Sequence, residues 1–216
     1  MNKVYFLDIN NLKKDFTYEE IYSKVSLYRK RKVDKLKFEK DKWLSLGAEY
    51  LLIQGPKEYD IDYSKIEIGF VKNGKPILKH CPKKLYFNLS HSEEMAMCVI
   101  SDSEVGCDIQ KVVNKEKYLE IADHFFHPEE IQMIKNANEK EKKELFFRIW
   151  VLKESYIKAI GKGLKMPLKD FRICFENNNP KIFNNDDVLE DRFLIEEKEL
   201  KKLGYKSAVC IKKYNK

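Results

Sequence analysis

The chain has 216 residues, of which 43% are apolar and 12% aromatic, and it carries a net charge of +7. That composition fits a globular protein with one substantial core, or two small lobes sharing one, and excludes a disordered chain. No apolar run approaches the ~20 residues of a membrane-spanning helix, MNKVYFLDIN is too short for a signal peptide, and the five cysteines contain no C-x-x-C, so a cytoplasmic protein with reduced thiols is expected.

Residues 4–9 read as a first strand and 17–54 as mostly helical. Within the latter, YRKRKVDKLKFEKDK at 28–42 holds eight basic and three acidic side chains. Val33, Leu36, Trp43, Leu44, Leu51 and Leu52 form a helical apolar stripe through and beyond it, so a helix with a basic rim is expected. The rim implies an anionic partner: a nucleic acid, a phosphorylated small molecule or an acidic protein. Gly55-Pro56 and Asn73-Gly74 mark turns. From Leu85 the period becomes that of strands: YFNLS, MAMCVIS and VGCDIQKV, broken at SEE and DSE, predict a meander, with a boundary between halves near 101–104. Helices are expected over 115–124 and after His127-Pro128-Glu129, where proline stands near a helix start. A long helix then runs to Ile160 and is stopped by Gly161 and Gly163. FRICF, RFLIEE and SAVCIKK read as strands, with NNNPKIFNNDDV as a polar loop. Two halves, each with a long helix and a few strands, point to α+β.

The long helix carries charges in its apolar middle. Phe146, Ile149, Trp150, Leu152, Tyr156, Ile157 and Ile160 define a core sector, and Arg148, Ser155 and Ala159 are expected to face outward. Glu154 and Lys158 share a stripe with Phe147 and Val151; read simply, they are a surface pair contributing about 0.2–0.5 kcal/mol. In VGCDIQ, alternation sets Val105, Cys107 and Ile109 on one face and Gly106, Asp108 and Gln110 on the other. Aspartate suits strands poorly, so Asp108 is either a buried hydrogen-bonded group or half of a hard-cation site completed by Glu154. Ser90 and His91 of NLSHS point to opposite strand faces, and no G-x-S-x-G elbow is present, so a hydrolase is rejected. Nor is there a Walker loop or a G-x-G-x-x-G; His124 and His127 read as an incidental pair at a helix boundary.

In order and spacing, NGKPIL, FNLSHS, VGCDIQKV, FFHPEE and FFRIWVLKESYIKAIGKGL resemble the Sfp-type 4′-phosphopantetheinyl transferases from about Asn73 to Ile173, with fainter echoes at 29–52 and in SAVC. The resemblance implies an α+β pseudo-dimer of two similar lobes, 1–103 and 104–216, with the active cleft between them. It implies Mg²⁺-dependent transfer of the phosphopantetheine arm of coenzyme A to a serine of an apo acyl, peptidyl or aryl carrier protein, releasing 3′,5′-adenosine bisphosphate.

Carried over by motif, Asp108 and Glu154 would hold Mg²⁺, Lys158 would neutralise phosphate charge, and Lys75, Pro76, Ser90 and His91 would lie along the nucleotide. Arg29, Lys32 and Ser45 would contact the 3′-phosphate, although Leu44 stands where relatives often carry a basic residue. Gln110 replaces the acid of many relatives, so its amide oxygen or a water would take the third ligand place. Glu154 would act as base directly or through metal-bound water. A monomer without nucleic-acid or membrane partners is expected; the rivals are a weak or inactive homologue and a nucleic-acid-binding domain using the basic helix at 28–42.

Overall fold

In the computed structural model, which describes residues 2–113, 117–163, 166–200, 202 and 204–213, the opening strand β1 (Asn2–Asp8) runs directly into α1 (Ile9–Asp15), capped by the Asp8 carboxylate. Thr17 and Glu20 form a capping box that starts α2 (Tyr18–Lys24), and Ser26 caps α3 (Leu27–Val33). The basic run at 28–42 is not one helix. The Asp34 N–H closes α3 on the Lys30 and Lys32 carbonyls, and α4 (Glu39–Gln54) begins five residues on. The apolar stripe read across both is nevertheless real: Val33, Trp43, Leu44 and Leu52 are buried, most of them in a core shared with α1 and α2. Gly74, at φ 81, supplies the left-handed residue that turns β2 (Glu67–Phe70) back on β3 (Pro76–Lys79). β4 (Tyr86–Ser92) and β5 (Met95–Ser101) follow as an antiparallel hairpin, and the sheet has the order β1-β5-β4.

The second half repeats this plan. β6 (Val105–Lys111) leads to α5 (Tyr118–Phe125), α6 (Pro128–Asn136) and α7 (Glu139–Ile160). A hairpin of β7 (Phe171–Glu176) and β8 (Asn179–Asn184) follows, then β9 (Phe193–Glu197) and β10 (Tyr205–Lys212). The sheet order β6-β10-β9 matches β1-β5-β4: the first strand of each half pairs with its last, which pairs with the one before. Residues 115 and 116 of the expected 115–124 helix lie outside the described residues.

Three expectations are corrected. β6 does not continue the β4–β5 meander; it pairs with β10, because the break at 102–104 ends one sheet and begins another. The polar loop at 177–188 contains strand β8, since Asn177 and Asn178 both take positive φ (48° and 66°) and make a two-residue hairpin turn that asparagine tolerates. Ser155 and Ala159 do not face outward, being 0% and 2% exposed. A Cβ on Gly106 would lie 2.2 Å from both the Ala159 nitrogen and the Ser155 carbonyl oxygen, so a bare glycine on β6 and small residues on α7 let strand and helix touch backbone to backbone.

The two sheets meet along β4 and β6 without a backbone ladder. Side chains of β4 substitute for carbonyls: the N–H groups of Cys107, Ile109 and Lys111 donate to Asn88 Oδ1 (2.9 Å), Ser90 Oγ (3.4 Å) and Ser92 Oγ (3.0 Å). The constant offset between partners makes the strands parallel, and the pleat turns every second β4 side chain toward the second half. Met95, Met97 and Val99 of β5 pack with Val105, Cys107 and Ile109 beneath this seam.

Candidate active site

The alternation read in VGCDIQ holds. Its Gly106 face lies on α7 and brings Asp108, 2% exposed, to the charged stripe of that helix. Lys158 Nζ donates to Asp108 Oδ1 at 2.6 Å and to Ser90 Oγ at 3.3 Å, while Ser90 Oγ donates to the same Oδ1 at 2.7 Å. Gln110 Nε2 donates to Asp108 Oδ2 at 3.2 Å, and Gln110 Oε1 accepts from Ser92 Oγ at 3.4 Å. Asp108 therefore receives three donors, two on one oxygen and one on the other. Glu154 receives none: among the described residues it makes no hydrogen bond or ion pair, and the expected Glu154–Lys158 surface pair is not formed. Desolvation raises its pKa, Lys158 opposes that rise, and Asp108 adds to it. For Lys158, desolvation works against the charge but Asp108 outweighs it, so its pKa is raised; 28% of the side chain still reaches solvent.

These groups line a cavity of about 320 Å³ together with Trp150 and His91. His91 and Leu89 also line a second recess, of about 210 Å³, walled by Arg29, Lys32 and Pro76, so the two form one cleft from α3 to α7. His91 has substantial surface in contact with solvent, yet desolvation by the cleft walls, then Lys32, Arg29 and Lys158, push its imidazole down to about 4. Desolvation and three neighbouring cations keep His91 neutral near pH 7, and the recess is positive.

The remaining predicted residues are distributed unequally. Lys32 points its charge into the recess, its pKa lowered by desolvation and by Arg29. Arg29 lines the recess but is already engaged, donating from Nε to Glu49 at 2.8 Å and from Nη1 to Ser45 at 3.1 Å. Ser45, 1% exposed, stands behind Arg29. Pro76 lines the recess, whereas Lys75 turns its ammonium away from it, donating to the Val105 and Ala159 carbonyls at 2.9 Å each; desolvation lowers its pKa to about 8. Lys153, in the middle of the charged helix, is no part of the cleft: wholly buried, it donates to Glu130 Oε1 and the Phe171 carbonyl, both at 2.7 Å. His127 caps α6 through Nδ1, in keeping with an incidental role.

Trp150, read as a core residue and as one of the apolar neighbours of Glu154 one turn on, also forms cleft wall. Sequence reasoning missed Asn88 and Ser92, whose alternation with Ser90 marks one polar strand face. Asp108 and Glu154 bring oxygen ligands of the kind a hard cation prefers, whereas Gln110, expected as a third, presents its amide nitrogen to Asp108 and its oxygen to Ser92. Among the described residues no group of three or more His, Cys, Asp or Glu side chains is placed to hold a metal ion.

Comparison with known proteins places the chain in a family. Residues 104–210 match the model of the 4′-phosphopantetheinyl transferase superfamily. The 4′-phosphopantetheinyl transferase gsp of Aneurinibacillus migulanus is 35% identical over 176 residues, spanning 79% of this chain and 69% of that protein. The 4′-phosphopantetheinyl transferase Sfp of Bacillus subtilis (strain 168) is 32% identical over 71% of this chain and 66% of its own length. The solved holo-[acyl-carrier-protein] synthase of Thermotoga maritima overlays 53% of this chain and 65% of its own, with 18% identity and a TM-score of 0.43. The strand aspartate, the helix glutamate and the lysine one turn beyond it thus sit in a chain that belongs to the 4′-phosphopantetheinyl transferase superfamily and is a transferase enzyme.

Proposed function

We propose that the protein transfers the 4′-phosphopantetheine arm of coenzyme A to the serine hydroxyl of an apo carrier protein and releases 3′,5′-adenosine bisphosphate. The observation that carries this reading is the single cleft in which a cationic recess adjoins two carboxylates and a lysine. A nucleotide with a 3′-phosphate at one end and a diphosphate at the other matches that charge layout. Lys32 is the freest cation for the 3′-phosphate, with Arg29 held behind it by Glu49. Neutral His91 and Pro76 offer ring faces along the nucleotide. Lys75 supports the wall from behind by bridging β6 and α7.

In the transfer, the serine oxygen forms a bond to the phosphorus carrying the pantetheine arm, the bond from that phosphorus to the bridging oxygen of the diphosphate breaks, and the serine proton must be taken up. Glu154 is suited to receive it, since a desolvated carboxylate without hydrogen-bond donors is a stronger base than a solvated one. Lys158 stabilises negative charge on the phosphate oxygens as it develops. Mg²⁺ fits the residues present: Asp108 and Glu154 would hold it, and because Gln110 turns Nε2 to Asp108 and Oε1 to Ser92, water and ligand phosphates would complete the shell. When bound, the ion supplies charge neutralisation at the diphosphate. We further propose that residues 1–103 and 104–216 form the two lobes, that the enzyme works as a cytoplasmic monomer, and that the basic face of α3 attracts anionic ligands and not nucleic acid. No helix among the described residues is long and apolar enough to cross a membrane.

The test is incubation with apo carrier proteins, coenzyme A and Mg²⁺, read by intact mass. Addition of the phosphopantetheine mass to the carrier, lost when its serine is replaced by alanine, is expected. No addition to any acyl, peptidyl or aryl carrier would overturn the reading.

A further inference from the structure

The contacts of Asp108 and Glu154 are unequal in a way the proposed chemistry does not require. Asp108 accepts three donors, two of them on Oδ1, and one of these is the Lys158 ammonium at 2.6 Å, with Ser90 Oγ as that ammonium's second acceptor. Glu154, one turn before Lys158, is left without a partner among the described residues. The lysine has thus crossed from its own helix to the strand carboxylate, although Glu four residues before Lys is a favourable helical pair. Its place in the last turn of α7, where the helix carbonyls are negative, helps hold the positive charge there.

We propose that Lys158 is the resident counter-ion of the site. In the ligand-free protein it occupies the Asp108 oxygen that a divalent cation would need, and it leaves when an anionic diphosphate draws it across the cleft. Cation and diphosphate then bind in synergy: each alone meets a closed ion pair, and together they replace it with two, lysine on phosphate and metal on carboxylate. By thermodynamic linkage, the factor by which the diphosphate raises cation affinity equals the factor by which the cation raises diphosphate affinity. The mobility this needs is available, because Lys158 keeps solvent-exposed surface while Asp108 has almost none. Gln110 remains on the other carboxylate oxygen and keeps Asp108 oriented while the lysine departs.

This inference rests on the metal assignment proposed above, and the experiment separates the two. Free Mn²⁺ is titrated by electron paramagnetic resonance against wild type, Lys158→Met, Lys158→Arg and Asp108→Asn, each with and without coenzyme A and without carrier protein. Thermal melts verify that each variant is folded. Removing the competing charge should tighten Mn²⁺ binding to ligand-free Lys158→Met by roughly tenfold or more. Lys158→Arg, which keeps the charge, should bind as weakly as wild type. Coenzyme A should raise the Mn²⁺ affinity of wild type by a larger factor than that of Lys158→Met. Ligand-free Lys158→Met binding no tighter than wild type, while Asp108→Asn weakens binding, would overturn the counter-ion role and leave the metal site standing. Mn²⁺ binding that Asp108→Asn does not weaken, even with coenzyme A present, would overturn the metal assignment and the counter-ion role with it.

Discussion

At the scale of single residues, the cleft separates two carboxylates of the same chemistry by their surroundings. Three donors hold Asp108 in a fixed orientation, while Glu154 is desolvated and without a donor among the described residues. A raised pKa in the folded state means that Glu154 holds its proton to higher pH than an ordinary carboxyl. As a base it works only once that proton is lost, so kcat/KM should rise with pH, and a higher cation concentration, which favours the ionised form of a liganding carboxylate, should shift that rise to lower pH. Glu154→Gln should lower transfer by about 10²–10⁴-fold, the usual span for a positioned base, and abolish that acid limb. The sign for stability runs the other way. The folded protein binds more protons than the unfolded chain between the two pKa values, so stability falls as pH rises through that window, and Glu154→Gln removes the penalty. The variant should therefore melt at or above the wild-type temperature at neutral pH; a variant that is both active and less stable would refute the role. The residue types at this site were legible in the sequence because Asp and Glu are conspicuous among apolar neighbours. Their partners were not, since hydrogen bonds from Ser90, Gln110 and Lys158 join three separate elements.

At the scale of elements, α7 from Phe146 onward presents no fully exposed residue, and its charges there are accommodated in different ways. Lys158 and Glu154 open on the cleft, whereas Lys153 is sealed against α6 and β7 by Glu130, whose same oxygen also accepts from the Ile173 N–H at 2.6 Å. Desolvation pushes Lys153 down to about 8. A buried ion pair contributes little beyond an apolar pair of the same shape, but breaking one side is costly. Glu130→Leu should destabilise by about 3–5 kcal/mol in urea, and adding Lys153→Met should recover the part due to the unpaired ammonium, while the Ile173 and His127 N–H groups still lack their acceptor. A double variant no more stable than the single would show that the pairing is not the issue. The helical period correctly marked α7 as amphipathic over a broad sector. It misplaced Ser155 and Ala159, because small residues look solvent-facing in a pattern until a glycine strand packs against them.

At the scale of the whole molecule, two copies of one strand and helix plan are joined by the β4–β6 seam, and the cleft opens where that seam meets α7. A side-chain seam fixes the register of the halves through three acceptors, where a backbone ladder would have used every second carbonyl. Asn88→Ala leaves the buried Cys107 N–H without its acceptor and should cost about 1–3 kcal/mol in chemical denaturation. Ser90 is excluded from this test because it also holds Asp108. Unchanged stability of Asn88→Ala would mean that the seam is not a structural joint.

By itself, the sequence determined the α+β character, the long helix with its charged stripe, the strand face bearing Asp108 and the motif order by which the family is recognised. These are local properties: side-chain period, turn chemistry and residue spacing act within one segment. Only the tertiary structure decided that β6 leaves β5 for β10, that β8 pairs within an apparently polar loop, and that Lys75 and Arg29 spend donors on carbonyls and on Glu49. It also decided that Lys158 sits on Asp108 and not beside Glu154. Each of these is a competition between partners far apart in sequence, and the winner is set by which groups packing brings within about 3 Å of each other, the range over which hydrogen bonds form.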